Sequence, residues 1–325
     1  MEFNLNAVSF IKEKNAVPLD TERTYDVVII GGGPAGLTAA VYCMRKGVDT
    51  AIIVRHVGGQ VAETSAVENY MGYRYINGVE LVDKFREQVQ QFSIGYVEGV
   101  GVASVEDGAV KTVLLDDGRA VRGRALVLAS GKSWRKLGVP GEQRLTGRGV
   151  AYCTICDAPL FAGKTVVVVG GGNSGVEAAI DLAAIAKEVI VVQNLDRLTA
   201  DRVLTDRLAG FGNVRLVYKS RVREIAGENA VTSVVLDDDT GASTEIAADG
   251  IFIEIGLEPN SGFARGIVDM NENGEIIVDC ACRTSRAGIF AAGDVTTVPY
   301  KQIIIAGGEG AKAALSACDY LKKNE

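Results

Sequence analysis

The residues best equipped for chemistry lie in one short run, Tyr152-Cys153-Thr154-Ile155-Cys156-Asp157. Two cysteines at this spacing can close a small disulfide ring, supply half of a zinc site, or sit as inert thiols. Zinc would need two further ligands. The only other close pair is Cys280 and Cys282, a CxC spacing tighter than zinc knuckles use, and the single histidine, His56, lies in a different part of the chain. These residues favour redox chemistry, and no metal is expected. Asp157 fits that reading, because opening or closing a disulfide moves protons and a neighbouring carboxyl can carry them. It can equally cap the turn that follows. Cys43, Cys280, Cys282 and Cys318 read as structural thiols, with a secondary redox role at Cys280 and Cys282 left open.

A second kind of chemistry is written twice. The apolar run Tyr25 to Ile30 feeds Gly31-Gly32-Gly33-Pro34-Ala35-Gly36, and a helical pattern follows over Leu37 to Lys46. The pattern returns 139 residues later: Lys164 to Val169, then Gly170-Gly171-Gly172-Asn173-Ser174-Gly175, then a helical stretch over Val176 to Ala186. A GxGxxG between a buried strand and a helix lets backbone approach a pyrophosphate, whose oxygens meet free N–H groups at the helix start. Glycine-rich turns also serve as plain connectors. Two copies, each with strand, motif and helix in order, point instead to two nucleotides.

The strand after each helix should end in an acid that holds ribose hydroxyls. The first ends at Arg55 and the second, Glu188 to Val192, at Gln193. Gln193 can hydrogen-bond a 2′-hydroxyl and has no charge to repel a 2′-phosphate, but no arginine pair follows it directly; the balance favours NADH over NADPH. Near the carboxyl end, Gly288 to Asp294 reads as a short strand ending in Gly293-Asp294, followed by a small-residue helix over Gln302 to Asp319. An aspartate there can accept hydrogen bonds from the sugar-alcohol chain of a flavin dinucleotide. Its distance from Gly31 requires the first nucleotide domain to be discontinuous, with the second inserted into it.

The whole composition suits such a protein. At 325 residues, 47% hydrophobic, the chain can build two cores. With 34 basic and 41 acidic residues the net charge is −7, which argues against nucleic-acid partners. No apolar run is long enough to span a bilayer, and the first residues lack a signal-peptide pattern, so a cytoplasmic protein without membrane partners is expected. Phe3, Leu5, Val8, Phe10 and Ile11 mark one possible apolar face in the amino-terminal extension.

Taken together, GGGPAG (31–36), GGQ (58–60), VENY (67–70), VPGE (139–142), CTICD (153–157), GGGNSGVEAAIDLA (170–183), GLEPN (256–260) and the segment 291–317 resemble the low-molecular-weight thioredoxin reductase family. The likeness is greater still to the flavoprotein component of alkyl hydroperoxide reductase, and it runs from about Tyr25 to Lys322. It implies an α/β protein of two Rossmann-like dinucleotide-binding domains, each three-layered, the second inserted into the first. Residues 1–134 and 256–325 would form the FAD-binding domain, with 1–24 as an extension, and residues 135–255 the NAD(P)-binding domain that carries the CxxC.

The resemblance also implies roles. Gly31, Gly33, Pro34, Ala35 and Gly36 would hold the FAD pyrophosphate. Gly59, Gln60 and Asn69 would lie near the flavin, Gly293 and Asp294 at the ribitol, and Gln302 with Ile303 at the ring. Gly170, Gly172, Asn173, Ser174, Gly175 and Gln193 would line the nicotinamide dinucleotide site. Cys156 would face the flavin, Cys153 would attack the partner, and Asp157 would be the acid–base. The reductases usually carry a His-Arg-Arg run where Gln193-Asn194-Leu195 stands, and the peroxide-reductase relatives carry a glutamate at Gln193.

Those relatives also carry amino-terminal thioredoxin-like domains. Here about 24 residues precede the first strand, without a CxxC, so a separate thioredoxin-like or glutaredoxin-like acceptor is expected. A homodimer is implied, as is rotation of the second domain about connections near Gly131–Pro140 and Ile251–Gly256. Alternatives are a non-nicotinamide donor such as ferredoxin, or a dithiol oxidase that uses oxygen.

Overall fold

The computed structural model describes residues 16–64 and 67–324, apart from the side chains of residues 63, 155 and 156. The apolar spacing at Phe3, Leu5, Val8, Phe10 and Ile11 lies outside the described residues. The fold is α/β and forms two compact units. One holds the described residues up to Ser133 and from Glu258 onward, and the other, Trp134–Leu257, is inserted between them.

In the first unit, strand Thr24–Ile30 lies between Thr50–Val54 and Ala120–Leu128. Gly95–Glu98 lies outside Thr50–Val54, and Ile289–Ala291 outside Ala120–Leu128, all parallel. Ala120–Leu128 also starts an antiparallel ribbon with Lys111–Leu115 and Val102–Glu106. The second unit repeats the order. Thr165–Val169 lies between Glu188–Val192 and Gly250–Ile253, with Val214–Val217 and Val150–Ala151 at the edges, all parallel. Its ribbon is Ser220–Ala226, Ser233–Asp238 and Ser243–Ala247.

The central strands read as unbroken β-branched runs because both of their faces are covered. Val27, Val28, Ile29, Val166, Val167 and Val168 are all completely buried. Each such side chain contributes roughly 1.5–3 kcal/mol by leaving water. The two fingerprint helices, Pro34–Arg45 and Asn173–Ala183, each begin three residues before the position the apolar pattern suggests. The reason is steric. A Cβ at Gly36 would enter the Gly31 carbonyl oxygen, and one at Gly175 that of Gly170, so the last motif glycine is already inside the first turn.

The C-terminal helix, Ile303–Lys323, buries Ala306, Gly310, Ala313, Ala314, Ala317 and Leu321 at helical spacing. It packs on the first fingerprint helix closely enough that a Cβ on Gly310 would fall 2.9 Å from the Cα of Ala35. Among the described residues no helix is long and apolar enough to cross a membrane.

Candidate functional site

The first cradle is built at the carboxyl end of Thr24–Ile30. Gly31 has φ +122°, and a side chain there would enter the carbonyl of Ala129. Gly36 is likewise forced by the Gly31 carbonyl. Gly33 is different: its φ is −79°, and an added Cβ would meet nothing nearer than the Gly58 carbonyl oxygen at 4.0 Å. The protein itself therefore has no steric need for glycine at 33. Gly33 is also the N-cap of Pro34–Arg45, so no side chain satisfies the free N–H groups of the first turn, and that turn holds no acid.

Around this turn the structure gathers other residues singled out above. The Gly58 N–H donates to the Gly32 carbonyl (2.7 Å), and Gly59 stands beside Gly33. Gln60 Nε2 donates to the Lys132 carbonyl (3.0 Å). Gly293, with φ +77°, lies against Ala35. Asp294 is half-buried, and among the described residues no group donates a hydrogen bond to its carboxylate. Burial raises its pKa, against the pull of Lys301 and Lys132. Asn69 Nδ2 donates to Gln302 Oε1 (3.1 Å), and Ile303 packs against the cluster formed by Val61, Val67, Ile76, Leu81 and Val82. An open glycine at an uncapped helix start, together with a carboxylate lacking a donor, fits a pyrophosphate-bearing ligand with sugar hydroxyls such as FAD.

The second cradle copies the first. Gly170 has φ +128° and is held by the Glu254 carbonyl, while Gly172 is open, with Thr199 Oγ1 at 3.9 Å its nearest neighbour. Gly172 is again the N-cap of an acid-free first turn. The Asn173 side chain exchanges two hydrogen bonds with Asp201, donating to Oδ2 and accepting from the backbone N–H, both at 2.8 Å. Gln193 is buried. Its amide nitrogen donates to the Arg197 carbonyl (3.3 Å), and its oxygen accepts from the Asn194 N–H (3.1 Å), so the side chain shapes the 193–197 turn.

Cys153 lies in the same unit and is disulfide-bonded, whereas Cys43, Cys280, Cys282 and Cys318 are free thiols. The Asp157 N–H donates to the Cys153 carbonyl (3.1 Å), closing one helical turn, Thr154–Asp157, around the CxxC. Asp157 is half-buried, and burial raises its carboxyl above the usual range. The turn is anchored from both sides. Tyr152 Oη donates to Glu142 Oε1 (2.7 Å), and the buried Glu142 carboxylate also accepts from the N–H groups of Leu137 and Gly138. Thr154 Oγ1 donates to Glu254 Oε1 (3.0 Å).

Two groupings carry no local sequence signal. In the first unit, Glu275 pairs through Oε1 with Lys132 Nζ (2.8 Å) and Lys301 Nζ (3.2 Å) and accepts from Asn271 Nδ2 (2.8 Å). Burial pushes its carboxyl up, but these donors outweigh that and hold it at about 2. In the second unit, Glu254 accepts from both Ser174 Oγ and Thr154 Oγ1. Apart from Asn271, their partners lie tens of residues away, so spacing could not reveal them.

A duplicated dinucleotide cradle and a cysteine turn in one chain define a class, and the comparisons agree. The chain belongs to the pyridine nucleotide-disulphide oxidoreductase family, whose model matches residues 25–310. Membership implies FAD and a nicotinamide dinucleotide. Within the family it is similar to the thioredoxin reductases and to the F component of alkyl hydroperoxide reductase. It is 44% identical to the alkyl hydroperoxide reductase F component of Pseudomonas putida over 95% of this chain and 60% of that protein. To the Staphylococcus aureus (strain MSSA476) counterpart it is 43% identical over 95% and 62%. The chain thus spans about three fifths of the length of these curated relatives. Lactococcus lactis thioredoxin reductase, solved in its FR conformation, matches with a TM-score of 0.77 and 37% identity, over 92% of this chain and all (100%) of that one.

Proposed function

We propose that this chain is a flavoprotein disulfide reductase, passing electrons from a nicotinamide dinucleotide through FAD and the Cys153–Cys156 disulfide to a thioredoxin-like or glutaredoxin-like protein. The observation that carries the reading is the occurrence, in one chain with a disulfide-bonded Cys153, of two cradles whose middle glycines, Gly33 and Gly172, have room for a side chain and no steric reason internal to the protein to be glycine.

Held in the first cradle, FAD would supply a two-electron relay between the dinucleotide and the disulfide. The chain's own residues position and protonate. The first-turn N–H groups after Gly33 face the pyrophosphate, Asp294 accepts from sugar hydroxyls, and Gly59, Gln60, Asn69, Gln302 and Ile303 border the ring. The reduced Cys153 thiolate attacks a sulfur of the partner disulfide, giving a mixed disulfide and one partner thiolate. Cys156 then displaces the second partner sulfur and re-forms the ring bond. Asp157, raised by burial, gives and takes the proton at this pair nearer to neutrality than an exposed aspartate would. The working unit is a homodimer in the cytoplasm, where the free thiols of Cys43, Cys280, Cys282 and Cys318 stay reduced.

Gln193 carries no charge that would demand or repel a 2′-phosphate, which makes NADH the favoured donor. Its amide is already engaged by Arg197 and Asn194, and this supports a second reading in which a low-potential protein such as a ferredoxin feeds the same relay. Anaerobic stopped-flow mixing of the FAD-loaded protein with NADH, NADPH and reduced ferredoxin in parallel tests both. The proposal expects NADH to bleach the flavin fastest, with reduction of a thioredoxin-like disulfide following. A flavin indifferent to both nicotinamides but bleached by ferredoxin would replace it with the second reading.

A further inference from the structure

The two cradles share their strand, glycine turn and helix start, and one pair of positions where they differ links the second cradle to the cysteine turn. In the first, the residue after the neighbouring strand is Ala129; its N–H donates to the Ile30 carbonyl (2.7 Å), and its own carbonyl blocks Gly31. The matching residue in the second is Glu254, whose N–H donates to the Val169 carbonyl (2.8 Å) and whose carbonyl blocks Gly170. Opposite it, Ala35 of the first fingerprint helix corresponds to Ser174 of the second. Two alanines in one copy have become an interacting carboxylate and hydroxyl in the other.

That carboxylate has two holders. Ser174 Oγ donates to Oε2, and Thr154 Oγ1 donates to Oε1 at 3.0 Å. Thr154 is buried, and it is the residue that follows Cys153 in the CxxC turn. Ser174 is the second residue of the helix whose start forms the second cradle. Glu254 is therefore a single side chain tied at one end to the cysteine turn and at the other to the dinucleotide cradle. Burial makes its charge costly, the two hydroxyls offset that, and the nearby Glu177 charge adds to the cost.

Resting on the reading of the second cradle as the dinucleotide site, we propose that Glu254 is a positioning residue that couples occupancy of that cradle to the reactivity of the cysteine turn. A hydroxyl has one proton to donate. A phosphate oxygen arriving at the helix start takes the Ser174 hydrogen bond, and Glu254 then depends on Thr154 alone. A half-buried carboxylate left with one donor holds that donor harder, because an unmet acceptor is costly in such surroundings. The turn carrying Cys153 is thereby restrained when the cradle is filled and released when it empties.

ADP-ribose tests this without reducing anything, because it has the pyrophosphate but no nicotinamide. Its binding to the FAD-loaded, dithiol-reduced protein is measured by calorimetry. Anaerobic alkylation of Cys153, with and without saturating ADP-ribose, is followed by mass spectrometry. In the wild type ADP-ribose should slow alkylation roughly fivefold, the lower end of ordinary coupling between sites. In Thr154→Val, which removes only the link to the turn, ADP-ribose should still bind while the ratio of rates falls to one. Glu254→Ala should behave the same way, and because it disturbs packing more, the threonine variant decides the matter. Bound ADP-ribose with no effect in the wild type, or an equal effect in Thr154→Val, overturns the coupling. Failure of ADP-ribose to bind overturns the dinucleotide reading itself and the coupling with it, and calorimetry distinguishes the two failures.

Discussion

Replacing Gly33 by alanine separates what the protein needs from what its ligand needs. In the structure the new methyl group clashes with nothing, the Gly58 carbonyl oxygen lying at an ordinary contact distance of 4.0 Å, and the backbone φ of −79° suits any L-residue. The flavin-stripped protein should therefore change little in stability. The gain of about 0.4–1 kcal/mol from narrowing the unfolded ensemble is offset by alanine being a poorer N-cap than glycine by about as much. FAD binding should weaken, because the methyl occupies the space into which a pyrophosphate must come. Overpacking of that order costs about 1–3 kcal/mol. At 1.4 kcal/mol per decade this is a loss of roughly five- to 150-fold in affinity.

The assay is a pair of measurements on one variant: denaturant unfolding without FAD, and FAD titration followed by flavin fluorescence. Gly36→Ala is the counter-experiment. Its methyl would enter the Gly31 carbonyl, so it should destabilise the protein with or without FAD. If Gly33→Ala retains FAD like the wild type, or loses as much stability when stripped as Gly36→Ala does, the glycine serves the fold and not the ligand.

Glu275→Gln should leave Lys132 and Lys301 as unpaired, largely buried cations and destabilise the first unit by about 3 kcal/mol at neutral pH, at most. The folded carboxyl titrates near 2 against an ordinary value of 4.5, so its stabilisation is complete above 4.5 and is lost as pH falls towards 2. The wild-type advantage over the variant in urea unfolding should narrow between pH 5 and about pH 2 to 3; a gap independent of pH would contradict the assignment. Gly310→Ala should lower the melting temperature even though alanine is the better helix former by about 1 kcal/mol, because its methyl would meet the backbone of Ala35, which cannot yield. An unchanged or raised melting temperature would show that the two helices can separate freely.

What could be read from the residues in order depended on how local the cause was. The strand–glycine–helix units were legible because a φ of +122° or +128° at Gly31 and Gly170 is a backbone demand that only glycine meets easily, and it shows in the sequence as a motif. The helix starts were less so. Apolar periodicity begins at Leu37 and Val176, whereas the helices begin at Pro34 and Asn173, inside the glycine motif. Side-chain partnerships across the sheet left no trace. Glu254 lies 80 residues from Ser174 and 100 from Thr154, so its role depends on three strand ends meeting. The Lys132–Glu275–Lys301 cluster is of the same kind, spanning 143 residues between its first two members. Gln193 shows the converse: its position after the second strand marks it as a ribose reader, yet the structure engages its amide within its own turn.

The most direct test of the account is a thiol count. The FAD-loaded protein, mixed anaerobically with excess NADH and then alkylated, should show two newly labelled cysteines by mass spectrometry, at positions 153 and 156, and no others. Bleaching of the flavin with both of those positions still unlabelled would contradict it.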